Sequence, residues 1–333
     1  MSDVAGVILF TGVVFYAVFG GADFGAGFWD LTAGGAEQGR RPRALIDAAV
    51  GPVWEANHVW LIFCLVVLWT AFPSTFAAIM TTLAIPLVIA AFGIVVRGVG
   101  FAFLRVSTRL SRQRMFGVAF ATSSVITPFF LGAVAGGIAS GRVPVGGNGD
   151  PLDSWVNPTS MLGGLFAVVA CAYLAAVFLV YEADRRGDED LVRAFRARAI
   201  GAAAVAGPVS IAGLFVLADD SPRLHDRLLG AALPVVVVSV LLGLVALVLL
   251  VRGAAPFARV AAAAAVAAVI ASWGIAQYPF TLGTRLPLDQ AAAPATTLAW
   301  VLGTFVVAVA LIGPSLVWLY VLAQRGELSE LET

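Results

Sequence analysis

Residues 228–251 read LLGAALPVVVVSVLLGLVALVLLV, a run without one charged side chain. About 20 apolar residues coiled as an α-helix cover the roughly 30 Å hydrocarbon core of a bilayer. Lipid offers no partner to a peptide N–H or C=O, so such a run must satisfy its backbone internally. It is also too long for a barrel strand, which needs about 9–11 residues. A membrane-spanning helix is the reading that remains.

Outward from this stretch the same pattern recurs at 4–27, 53–72, 75–104, 116–139, 159–181, 199–217, 257–279 and 296–322. The chain of 333 residues is 60% hydrophobic and 12% charged, with a mean hydropathy of +0.96. Soluble domains carry about 25% charged residues. The expectation is an all-α polytopic membrane protein of about nine transmembrane helices with no soluble domain. The longest connections, 139–158 and 182–198, are rich in Gly, Pro and Asp and in charge, respectively. The first run begins close to Met1, with no basic segment ahead of it and no small-residue cleavage site after it. It reads as a retained helix and not as a removed signal peptide.

All 20 basic residues are arginine. If the N-terminus lies outside, the inner loops hold Arg40, Arg41, Arg43, Arg105, Arg109, Arg112, Arg114, Arg185, Arg186, Arg193, Arg196, Arg198, Arg252, Arg259 and Arg325. The outer loops hold Arg142, Arg223, Arg227 and Arg285, and Arg97 lies within a span. A bias that alternates loop by loop predicts an outer N-terminus and a cytoplasmic C-terminus. Trp29, Trp54, Trp318 and Tyr320 then fall at inner ends, and Trp155, Tyr278 and Trp300 at outer ends, where amphipathic rings meet headgroups. Net charge is zero, so no nucleic-acid partner is indicated. Cys64 and Cys171 both sit in hydrophobic runs, which argues against a disulfide framework or a thiolate metal site.

Ionisable groups inside spans are costly and tend to face a bundle interior or a cavity. Four stand out: Asp23, Glu55, His58 and Arg97. The topology places all four in the cytoplasmic half, on three consecutive helices. Glu55 and His58, three residues apart, share a helix face, with Pro52 suited to the first turn. A carboxylate beside an imidazole at the mouth of a bundle can take up a proton and hand it inward; the plainer reading of Glu55 is a counter-charge to a helix N-terminus. Asp23 follows Gly21, which with Gly25 has the small-xxx-small spacing of close helix contacts, and it reads either as a functional acid or as a capping carboxylate. Arg97 reads as a snorkelling or acid-pairing residue before it reads as a catalytic one. Gln277 and Tyr278, ahead of Pro279 at an outer end, read as a broken helix end before they read as a contact for a quinone headgroup. The chain holds two histidines, His58 and His225, and beyond Met1 the methionines are Met80, Met115 and Met161. That supply cannot provide paired axial ligands for several haems.

Residues 21–27 (GADFGAG), 51–61 (GPVWEANHVWL), 97–101 (RGVGF) and the Tyr278-Pro279-Phe280 turn resemble subunit II of cytochrome bd-type quinol oxidases. The likeness runs helix by helix through the chain. It implies two four-helix bundles plus one extra helix, with residues 1–140 forming the first bundle and 155–325 the remaining five helices. It implies a bacterial plasma-membrane complex that oxidises quinol and reduces O2 to water. In such a complex a haem-carrying subunit I binds haems b and d, and this chain alone binds no cofactor. Membrane lipid, small accessory single-helix subunits and a structural quinone belong to the same expectation. Glu55 falls on the family's acid for proton uptake, with His58 and Asp23 on the path, Arg97 as a supporting ion pair, and Trp54, Asn57, Gly21 and Gly25 packing the motif. Departures are visible: Gly20 stands where an acid usually precedes the first-helix Asp, Glu55 where the second-helix acid is often Asp, and His58 where a glutamine can occur, and the outer loops are short.

Two other classes compete with this reading. An ion-coupled secondary transporter would show inverted repeats and helices broken mid-membrane, for which Pro86 and Pro208 are the candidates and form no clear pair. A purely structural assembly subunit would carry dispensable acids.

Overall fold

The computed structural model describes residues 1–35, 37–51, 54–106 and 110–325; Pro52 and Arg109 lie outside them, as do the side chains of Arg105, Tyr320 and Arg325. Among the described residues, nine helical segments are long and apolar enough to cross a bilayer. The first, Ser2–Leu31, consists of α1 (Ser2–Phe15), a π-helical turn at Tyr16–Gly20, and α2 (Gly21–Leu31). α3 (Arg40–Val50) leads into α4 (Trp54–Ala71), α5 (Pro73–Thr82), α6 (Ala84–Val106) and α7 (Leu110–Ala139). Then come α8 (Pro158–Arg185), α9 (Glu189–Asp220), α10 (Pro222–Leu229), α11 (Leu233–Val251) and α12 (Ala255–Gln277). A short antiparallel hairpin of β1 (Phe280–Leu282) and β2 (Leu286–Pro287), then α13 (Leu288–Ala291), precedes the last span, α14 (Ala295–Arg325).

The spans land where the apolar runs are, with four revisions. The run 75–104 is two helices, because the chain turns at Phe72 and again at Leu83; only Ala84–Leu104 is a span. The run 228–251 likewise begins in α10, and its span starts at Leu233. The charged connection 182–198 shrinks to three residues. Its Arg and Glu are good helix formers, and Asp188 caps α9 by accepting from the Leu191 N–H. Between the first two spans lies α3, whose Leu45, Ile46 and Val50 are buried at helical spacing. Among the prolines, Pro86 sits in the first turn of α6, while Pro128 and Pro314 as well as Pro208 lie within helices.

α8 is the hub. It packs on α2, α7, α9 and α12, and Leu174 to Val180 and Ala183 are almost all fully enclosed. More than half of its most apolar stretch is buried inside the chain (56%), against 6% for α14, which touches mainly α1 and α4. Close approach to the hub depends on missing side chains. A Cβ on Gly25 would collide with the backbone carbonyl of Cys171, and one on Gly132 with that of Gly163. The small-xxx-small spacing of Gly21 and Gly25 therefore describes a backbone contact between α2 and α8.

The two ends differ. At the arginine-rich end, Arg43 Nε donates to Asp30 Oδ1 at 2.7 Å, tying α3 to α2, and Arg41 pairs with Asp188 at 2.8 Å. At the opposite end three of the four arginines, Arg142, Arg223 and Arg227, are each held by the chain. Arg142 grips Asp220 with Nη2 at 2.6 Å and Nη1 at 3.0 Å, Arg223 lies over the Phe280 ring, and Arg227 Nη2 donates to the Tyr278 carbonyl at 2.7 Å.

Candidate functional site

α2, α4, α6 and α7 meet around Asp23. The carboxyl group is 4% exposed and accepts a hydrogen bond from the Asn57 side chain of α4, itself 3% exposed. Its second oxygen, Oδ2, has no partner among the described residues. From α6 comes Arg97, 1% exposed, whose Nη2 donates to the backbone carbonyl of Asp23 at 3.0 Å. Its Nε donates to Ser124 Oγ of α7, also at 3.0 Å, and that hydroxyl in turn donates to the Phe120 carbonyl. The guanidinium plane lies between two rings, 5.0 Å from the centroid of Phe24 and 4.8 Å from that of Phe120. Nη1 is left without a partner.

This arrangement overturns the snorkelling reading of Arg97. The side chain runs inward, and the Asp23 carboxylate is not within ion-pair distance of it. Two aromatic faces at about 0.5–2 kcal/mol each offset part of the desolvation of a buried cation. Each unpaired polar atom costs about 1–3 kcal/mol.

His58 joins the same group. Its ring is enclosed by Phe24, Tyr16 and Trp54, with centroids 5.7, 6.2 and 6.5 Å away, and Nδ1 has no partner. Trp54 packs on Phe101 at 5.1 Å and along Gly98. Trp29 is likewise tied inward, donating Nε1–H to the Ala172 carbonyl at 2.8 Å.

Glu55 stands apart. It is exposed, without a polar partner among the described residues, on the face of α4 that also presents Val59, Ile62, Val66 and Trp69. Three residues along an α-helix leave side chains about 60° apart. The wall of the bundle passes through that angle, turning His58 inward and Glu55 outward. The expected four-residue group is therefore Asp23, Arg97 and His58 within, joined by Asn57, with Glu55 on the outer surface one turn away.

Sequence reasoning missed Tyr16, Phe24, Ser124 and Thr127. The hydroxyls of Tyr16 and Thr127 are buried and unpartnered, and the Tyr16 ring lies against the open face of Gly20. A signal existed in the polar cluster Ser123, Ser124 and Thr127 inside an otherwise apolar run. The aromatic members carried none, because phenylalanine occurs in most of the spans. Among the described residues no group of three or more His, Cys, Asp or Glu is placed to hold a metal ion.

Comparison with known proteins places the chain. The family described as cytochrome bd terminal oxidase subunit II matches residues 1–323. A Bacillus subtilis protein named cytochrome bd ubiquinol oxidase subunit 2 is 30% identical over 175 residues, 52% of this chain and 50% of that one. The chain spans about half the length of the curated relatives it matches. The solved structure of bd oxidase from Geobacillus thermodenitrificans superposes with a TM-score of 0.81 at 26% identity, covering 96% of this chain and 97% of that chain.

Proposed function

The chain belongs to the cytochrome bd terminal oxidase subunit II family, and on that premise we propose that it is the haem-free membrane subunit of a quinol oxidase, supporting a haem-carrying subunit I and taking up protons from the cytoplasmic side. The observation that carries the proton role is the buried, half-satisfied carboxylate of Asp23 beside the enclosed guanidinium of Arg97. A carboxyl group so placed can hold a proton at Oδ2 while Asn57 keeps its orientation. Glu55, exposed and two residues before Asn57, is the surface acid that collects protons from water or from the partner interface. The arginine-rich end beside this group is taken to be cytoplasmic, with the N-terminus outside.

On this reading the chain itself holds no haem: among the described residues His58 packs among Tyr16, Phe24 and Trp54, and His225 lies beside Asp226. Haems b and d are assigned to subunit I, where they supply electron transfer to O2. The quinol and any accessory subunits engage the complex rather than this chain alone. The division of the chain into a bundle over 1–140 and five helices over 155–325 belongs to the same proposal. Glu55→Gln in the purified complex tests it: O2 consumption falls several-fold while haem content and assembly are unchanged. Full activity in that variant removes Glu55 from the path.

A further inference from the structure

Five buried polar atoms from four membrane spans have no partner among the described residues: Tyr16 Oη, Asp23 Oδ2, His58 Nδ1, Arg97 Nη1 and Thr127 Oγ1. They share one surround. The Phe24 ring is 6.4 Å from that of Tyr16, 5.7 Å from that of His58 and 5.0 Å from Arg97 Cζ. The Tyr16 ring is also 6.2 Å from that of His58. Thr127 stands one turn beyond Ser124, the acceptor for Arg97 Nε. Asp23, Arg97 and Thr127 are 4%, 1% and 0% exposed, so no side chain of another subunit reaches them.

Buried polar groups in folded proteins are almost always satisfied, and when the chain does not satisfy them a buried water does. The chemistry of this group selects water over an ion. Arg97 Nη1 can only donate and Asp23 Oδ2 accepts when ionised, while the hydroxyls and the imidazole can do either. A cation would meet the guanidinium and an anion the carboxylate. Water, with two donors and two acceptors, suits both.

We infer that these five atoms enclose a cluster of bound water that hydrates the Asp23–Arg97 pair, with the Tyr16 hydroxyl at its far wall. Tyr16 opens the π-helical turn Tyr16–Gly20, whose extra residue per turn breaks the regular register just before Asp23. Such waters would extend the proposed proton path inward from Asp23. That consequence rests on the proton-uptake reading, whereas the site itself does not.

The test is a single-particle structure of the purified oxidase complex, resolved well enough to see water, for the natural chain and for Tyr16→Phe. Water density within hydrogen-bond distance of Tyr16 Oη, Arg97 Nη1 and Asp23 Oδ2, with the hydroxyl-bound water lost in Tyr16→Phe, supports the site. A dry group, or side chains that pair with one another directly, overturns it. If Tyr16→Phe does not assemble, the density in the natural complex decides alone. Heat inactivation gives a second reading: a hydrated hydroxyl makes Tyr16→Phe less stable, whereas a dry one makes it more stable. Water at the site together with full activity in Glu55→Gln would keep the cluster and remove the uptake path. A dry site with Glu55→Gln inactive would do the reverse.

Discussion

The guanidinium of Arg97 is bound to the backbone carbonyl of Asp23, at 3.0 Å, and not to its carboxylate. A cation that reads the backbone of α2 fixes the position of that helix whatever the protonation state of the acid. Asp23 is thereby free to titrate without releasing the helix that carries it. The carboxylate has its own partner in Asn57, so the positive and negative groups are neighbours with separate tasks.

Arg97→Leu should lower the stability of the subunit by about 3 kcal/mol or more, since it removes two hydrogen bonds from a charged donor at about 1.5–3 kcal/mol each. Arg97→Lys should fall between, because an ammonium cannot reach Asp23 and Ser124 in one fork. The thermal midpoint of the purified complex measures both. A midpoint unchanged in Arg97→Leu would show that the contact holds nothing.

Gly25→Ala should separate α2 from α8, because the added methyl meets the Cys171 carbonyl, which is backbone and cannot step aside. Overpacking of this kind costs about 1–3 kcal/mol. Gly201→Ala, which meets nothing within 4 Å, is the matched control. Yield and thermal midpoint of the assembled complex should drop for the first and not the second.

Asp220→Asn should loosen the end opposite the arginine-rich one. Its carboxylate takes both arms of Arg142 and also the N–H and hydroxyl of Thr159, the latter at 2.6 Å. A loss of about 2 kcal/mol is expected from charge-assisted bonds in a partly buried site. Asp219→Asn next door, exposed, should be neutral. Equal midpoints for the two variants would contradict the assignment.

Asp188 sets a pH dependence at the arginine-rich end. The Leu191 N–H and then the Arg41 guanidinium hold its carboxyl below the ordinary carboxylate value of 3.8. A depressed folded value stabilises the cap fully above the ordinary value, and the contribution is lost as pH falls through the lower one. Hydrogen exchange at the start of α9 should therefore quicken, relative to the rest of the helix, as pH drops below about 4. Asp188→Asn should remove that step. A step that persists in the variant would place its origin elsewhere.

Hydrocarbon thickness is a length that composition must match, so the sequence by itself determined how many times the chain crosses the bilayer and roughly where. It also carried the polar residues that matter, since an ionisable group in a 20-residue apolar run has few reasons to be there. What it could not determine was which way each of them points. Glu55, Asn57 and His58 lie within one turn of α4, a helix apolar on every side, and such a helix has no polar stripe from which to read inside and outside. Only the packing of α4 on α1, and of α2 against α8 through Gly25, decides the matter. It turns Asn57 toward Asp23, His58 into the aromatic ring of Tyr16 and Phe24, and Glu55 out to the surface. α3 and α10 differ: each is too short to register as a span, although its apolar residues lie along one face at helical spacing. In a water-soluble protein the exposed face would have been polar and the orientation legible. Lipid removes that contrast, and tertiary contact alone restores it.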